Sequence, residues 1–172
     1  MTRIRDDRLK TSRIAANKEV CDELISNCKR MYSLSESVTI DEMLMSFRGR
    51  CGFVRYMPKK PAKYGIKIFM LCDSVNKYMS NAVIYSGKDP SGSITKNIST
   101  NIVLELSEII KNTGRNITTD NWFTSVKLAE ELLQRKLTLV GTIKKMNLKF
   151  QMSSKKIQNV KSIRVSSLSL TI

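Results

Sequence analysis

The sequence predicts an α/β fold in which helices pack on a mixed sheet, and three observations carry that prediction. Three strand-like runs come first and can form an antiparallel meander. Two segments with helical spacing of apolar residues then alternate with two further short strand-like runs, the order that builds parallel strands joined by crossover helices. Over 172 residues, 41% hydrophobic content supplies one domain with a substantial core and argues against wholesale disorder.

Residues 17–32, NKEVCDELISNCKRMY, place Val20, Cys21, Leu24, Ile25, Cys28 and Met31 at helical spacing, so an amphipathic lead-in helix packed on another element is expected. Residues 38–47, VTIDEMLMSF, are rich in strand formers and carry Asp41 and Glu42 inside an apolar run. Alternation along a strand sends those two side chains to opposite faces, so one of them meets solvent or a polar site. The next stretch, RGRCGFVRYMPKKPAKYG, contains Pro58 and Pro61 and reads as a hairpin connection or an exposed basic loop. Its Arg48, Arg50, Arg55, Lys59, Lys60 and Lys63 are candidate phosphate contacts, with a plain solvated loop as the alternative.

YGIKIFMLCDS and YMSNAVIYSGK are strands joined by the turn DSVNK, which assigns Asp73 to the turn. STNIVLELSEIIKNTG is a helix with Ile102, Val103, Leu106, Ile109 and Ile110 on one face, Ser99 as its N-cap and Gly114 as its stop. NITTD is a short strand ending at Asp120. SVKLAEELLQRK is a helix with Val126, Leu128, Ala129, Leu132 and Leu133 as its apolar residues, and LTLVGTI is a buried strand.

Charge and chemistry narrow the function. Lys and Arg number 30 against 15 Asp and Glu, a net charge of +15 that favours a polyanionic partner, nucleic acid first and an anionic membrane surface second. The start has no apolar leader, and the most apolar run, IKIFMLC, is too short to span a bilayer and contains Lys67, so a soluble intracellular chain with no membrane partner is expected. The four cysteines form neither a CxxC pair nor a zinc knuckle and read as reduced thiols. With no histidine, Ser-His-Asp, Cys-His and His-ligated zinc chemistry are excluded, which leaves carboxylates and a hard metal for any catalysis. Asp41 on the first strand and Asp120 at the end of the fourth can meet if those strands are neighbours, and two like charges that close call for a divalent cation between them. A helix-capping role is the alternative for Asp120, although Thr124 or Ser125 would serve as well. Glu42 and Glu130 are not expected as ligands, and Trp122 and Phe123 read as core packing ahead of base stacking.

The runs TIDEMLMSFRGRCGFVRYMPKKPAKYGIKIFMLCDSVNKYM and GRNITTDNWFTSVKLAEELLQRKLTLVGTIKK, with RDDR near the start, resemble the catalytic core of piggyBac-type transposases and the host proteins derived from them. The resemblance covers residues 4–145. It implies an RNase H-like mixed sheet with flanking helices, truncated here after the fifth core strand, in which Asp41 and Asp120 match the first and second catalytic, metal-ligating aspartates. It further implies Mg²⁺ as cofactor in a two-metal in-line displacement at a phosphodiester. Excision and reinsertion of DNA at TTAA sites, DNA as partner and a nuclear location follow from the same likeness. A third aspartate belongs after the last core strand in such a family, yet Glu131 is the final acidic residue and 132–172 hold no Asp or Glu. A transposase core fragment that has lost autonomous catalysis is therefore expected. The alternatives are a non-catalytic, domesticated DNA-binding protein and an interaction protein that pairs with a full-length piggyBac-like transposase. The expected division is a lead-in helical segment at 1–37, the core at 38–146 and a poorly ordered basic tail, rich in Ser and Lys, at 147–172.

Overall fold

The strand-forming run around Asp41 becomes the ten-residue strand β1 (Ser37–Ser46), on which the rest of the sheet is built. The computed structural model describes Ile14, residues 17–87 and 97–143, so the RDDR segment and the tail expected at 147–172 lie outside the described residues. Along one edge β1 pairs antiparallel with β3 (Tyr64–Asp73), from Val38 opposite Asp73 to Ser46 opposite Gly65. Along the other it pairs in parallel with β5 (Asn116–Thr119), from Ser37 opposite Asn116 to Ile40 opposite Thr119. β6 (Thr138–Gly141) continues the parallel half beyond β5. The outer edge of β3 carries β4 (Met79–Ile84) and a two-residue β2 (Arg55–Tyr56), both antiparallel to it. The result, among the described residues, is the mixed sheet expected, of six strands because part of the basic loop adds β2, in the order β2-β3-β1-β5-β6 with β4 on β3.

Among the described residues, two helices cover one face. α2 (Ile98–Leu106) runs into a 3-10 turn (Ser107–Ile110), and α3 (Val126–Gln134) crosses from β5 to β6. Their Ile102, Val103, Leu106, Leu128 and Leu132 bury against Val38, Ile40, Phe69, Leu71, Ile117 and Leu139 of the strands. Each such side chain contributes about 1.5–3 kcal/mol relative to exposure. α2 begins after Asn97, which takes the left-handed conformation at φ 65°, so Ser99 lies in the first turn and is not the N-cap. Asn81 Nδ2 donates to the Leu106 carbonyl at 3.0 Å, where the α-helix gives way to the tighter turn. That change of pitch from 3.6 to 3 residues per turn takes Ile109 off the buried face, and it is 39% exposed. The helical run ends at Ile110 with Lys111 as its C-cap, so Gly114, at φ 76°, shapes the loop beyond the end and is not the stop the sequence indicated.

The lead-in helix forms as α1 (Lys18–Met31), but it is not buried as its apolar pattern suggested. Cys21, Ile25 and Cys28 are half-covered, whereas Val20, Leu24 and Met31 face solvent. Its main packing partner is β4, which covers only one side of it. Tyr78 Oη ties it down by donating to the Cys28 carbonyl at 3.1 Å. Among the described residues no helix is long and apolar enough to cross a membrane.

Candidate metal centre

The parallel pairing of β1 and β5 stops at Ile40 opposite Thr119, and the next residue on each chain is an aspartate. β1 runs on to Ser46 while β5 ends, so beyond this point, among the described residues, the β5 side of β1 is an unpaired notch. Asp41 and Asp120 meet in it, and Glu42 joins them: one carboxylate oxygen from each of the three lies within 4.8 Å of the others. Strand alternation alone would turn Glu42 to the opposite face. It reaches the cluster where, among the described residues, no strand pairs with the β5 side of β1.

Each aspartate is oriented by the backbone that follows it. Asp120 Oδ1 accepts from the amides of Trp122 at 2.9 Å and Phe123 at 3.4 Å, an Asx-turn. Its carbonyl accepts from the Thr124 amide at 3.1 Å and the Thr124 hydroxyl at 2.6 Å. Thr124 Oγ1 also meets Thr119 Oγ1 at 2.8 Å, which pins the loop to the end of β5. The helix cap is Ser125, whose hydroxyl accepts from the Leu128 amide at 3.1 Å, so Asp120 is not spent on capping α3. Asp41 Oδ1 accepts from the Glu42 amide at 2.7 Å. In both aspartates Oδ2 has no hydrogen-bond partner among the described residues and remains available to a cation.

The donor set suits a hard divalent cation, being all carboxylate oxygen with no imidazole. Oxygens on opposite sides of Mg²⁺ at 2.0–2.1 Å stand about 4.2 Å apart, so modest side-chain rotation brings these three onto one ion. Cys72 lies near Asp41 but stays a neutral thiol, its pKa pushed up by burial first and by the Asp41 charge second.

Positive charge borders the cluster. Lys60 Nζ pairs with Glu42 Oε1 at 3.2 Å and donates to the Glu42 carbonyl at 3.2 Å. Burial pushes the Lys67 ammonium pKa down, Glu42 and Asp120 pull it back up, and Lys60 and Arg55 depress it further. The six basic residues singled out in the loop divide into two groups. Arg48, Arg50, Lys59 and Lys63 are exposed. Lys60 is tied to Glu42, and the half-buried Arg55 sets its guanidinium 4.9 Å over the Tyr85 ring. Phe123 is core, as expected, at 1% exposure, but Trp122 stands on the rim at 40%.

A mixed sheet of this order, with helices on it and acidic side chains where the pairing of its central parallel strands ends, matches the catalytic-core fold of a transposase. The chain belongs to the transposase family described as Transposase IS4, whose model matches residues 2–169. It is also similar, at 40% identity over 89% of its length and a TM-score of 0.77, to a cryo-EM structure of piggyBac transposase in a synaptic complex with hairpin DNA. The chain spans 33% of that protein's chain.

Proposed function

We propose that this chain is the DNA-engaging core of a piggyBac-type transposase, acting in the nucleus, with Asp41 and Asp120 as its catalytic pair. The observation that carries the reading is the convergence of those two carboxylates, with Glu42, at the end of the β1–β5 pairing. Mg²⁺ bound there would supply an activated oxygen nucleophile and stabilise the leaving oxygen at a phosphodiester. The protein's part is to hold the oxygens in place through the Asx-turn at Asp120 and the Glu42 amide at Asp41. The exposed Arg48, Arg50, Lys59 and Lys63 present cations to DNA phosphates, while Lys60 and Arg55 fasten the loop that carries them. The similar solved protein is a complex with hairpin DNA, which supports DNA as the partner.

These 172 residues alone offer two unencumbered aspartates, a Glu42 engaged by Lys60, and no acid after Glu131. Two-metal transfer needs its ligands held to about half an ångström, so the chain by itself is expected to bind DNA without cutting it. The test uses end-labelled DNA with TTAA-flanked transposon ends, Mg²⁺ and Mn²⁺ in parallel, and the native chain beside Asp41→Asn and Asp120→Asn. Binding without nicking is the expected result. Nicking by the native chain that disappears in both variants would overturn the inactive reading and make Glu42 the third ligand to substitute. A chain that fails to bind at low salt would remove DNA as the partner, and cytoplasmic retention of a fluorescently tagged chain would remove the nuclear assignment.

A further inference from the structure

Trp122 is the chain's single tryptophan, and the residue is 40% exposed beside the acidic notch. A tryptophan serving only as core would bury most of its 150–250 Å² of surface, so its partial exposure invites a second partner. The ring is rigidly mounted. It stacks on buried Phe69 with centroids 5.5 Å apart and planes 4° from parallel, and it meets the edge of Phe123 at 4.7 Å. Lys67 Nζ lies 4.9 Å from the indole centroid and 4.7 Å from that of Phe69, bringing a cation to the same platform. The Trp122 amide donates to Asp120 Oδ1, so the ring and the carboxylate belong to one turn.

We infer that Trp122, backed by Phe69 and flanked by Lys67, is a stacking platform for an unpaired nucleobase of the DNA strand whose phosphate lies at the Asp41–Asp120 notch. This rests on the DNA-binding reading above and assigns that site a residue that holds a base. An indole face accepts any base, so the platform favours unpaired over paired nucleotides without selecting a sequence. Lys67, over the rings and near Asp120, gives the adjoining backbone a positive neighbour.

The experiment follows tryptophan emission of the native chain during titration with a single-stranded oligonucleotide, a blunt duplex of the same sequence and dextran sulfate. Anisotropy of labelled DNA reports binding independently. The expected result is saturable quenching by the single strand, less by the duplex and none by dextran sulfate at equal occupancy. Trp122→Ala should weaken single-strand affinity by roughly tenfold or more, whereas Trp122→Phe should keep most of it. Circular dichroism melting identifies a variant that has lost its fold, and the emission titration needs no variant. DNA that binds by anisotropy without quenching, or equal quenching by dextran sulfate, overturns the stacking platform while leaving DNA binding intact. An absence of any anisotropy change overturns both.

Discussion

Asp120 and Asp73 both stand at strand ends, and their surroundings give them opposite work. Asp73 is fully buried, with Oδ2 accepting from the Ser35 amide at 2.7 Å and Oδ1 from the amides of Val75 at 2.8 Å and Asn76 at 3.0 Å. Those bonds, Ser35 foremost, hold its carboxyl well below the ordinary value of 3.8. A depressed folded-state pKa stabilises the protein above the unfolded value, and that contribution drains away as pH falls below about 4. Urea midpoints taken from pH 5 to 2 should therefore drop for the native chain, with the gap to Asp73→Asn narrowing toward the acid end. Parallel curves for the two proteins would show that the turn does not depend on this charge. Asp120, by contrast, is exposed, with one oxygen oriented and the other available. Millimolar Mg²⁺ should raise the melting temperature of the native chain, since a ligand at a hundredfold its Kd adds about 2.7 kcal/mol. Asp41→Asn and Asp120→Asn should fold and lose that shift, and an equal shift in all three proteins would place the ion elsewhere.

At the scale of elements, the notch depends on how closely the Asp120 loop approaches β6. A Cβ at Gly141 would fall on Thr124 Oγ1 and lie 2.8 Å from the Thr119 carbonyl oxygen, so the loop packs where only glycine leaves room. Gly141→Ala should cost about 1–3 kcal/mol and also blunt the Mg²⁺ response, because the clash displaces the turn that holds Asp120. Ser125→Ala removes the α3 cap and should cost about 1 kcal/mol while leaving the Mg²⁺ shift in place. Urea unfolding with and without Mg²⁺ separates the two, and a Gly141→Ala protein with a full metal response would detach the loop from the site. The Ser125 cap and the β1 and β3 strands were legible in the sequence because they rest on local chemistry and pattern. The position of Asp120 beside Asp41 was legible only through the expected strand order and the family likeness. Glu42 was not, since its place depends on where β5 ends. Nor was the exposure of Val20 and Leu24: helical spacing marks an apolar face but does not say what covers it.

For the molecule as a whole, the excess of positive charge is the property that would govern how it meets DNA on the function proposed above. A net +15 makes counterion release a large part of affinity, so log K should fall linearly with log salt, by about 0.9 for each phosphate neutralised. Total charge alone cannot say which lysines touch phosphate, but the geometry separates neighbours in one loop. Lys59 and Lys63 are exposed, whereas Lys60 is held by both the carboxylate and the carbonyl of Glu42. A cation already paired on the protein releases little from DNA. Replacing Lys59 and Lys63 together by Gln should therefore reduce the slope by about 1.8, and Lys60→Gln should leave it nearly unchanged even though each removes positive charge. Anisotropy titrations of one duplex across a salt series measure all three slopes under the same conditions. A double variant with the native slope would take the loop off the DNA. A Lys60→Gln protein losing as much slope per charge as the double variant would mean that the Glu42 pairing opens when DNA arrives, freeing Glu42 at the same moment to join Asp41 and Asp120.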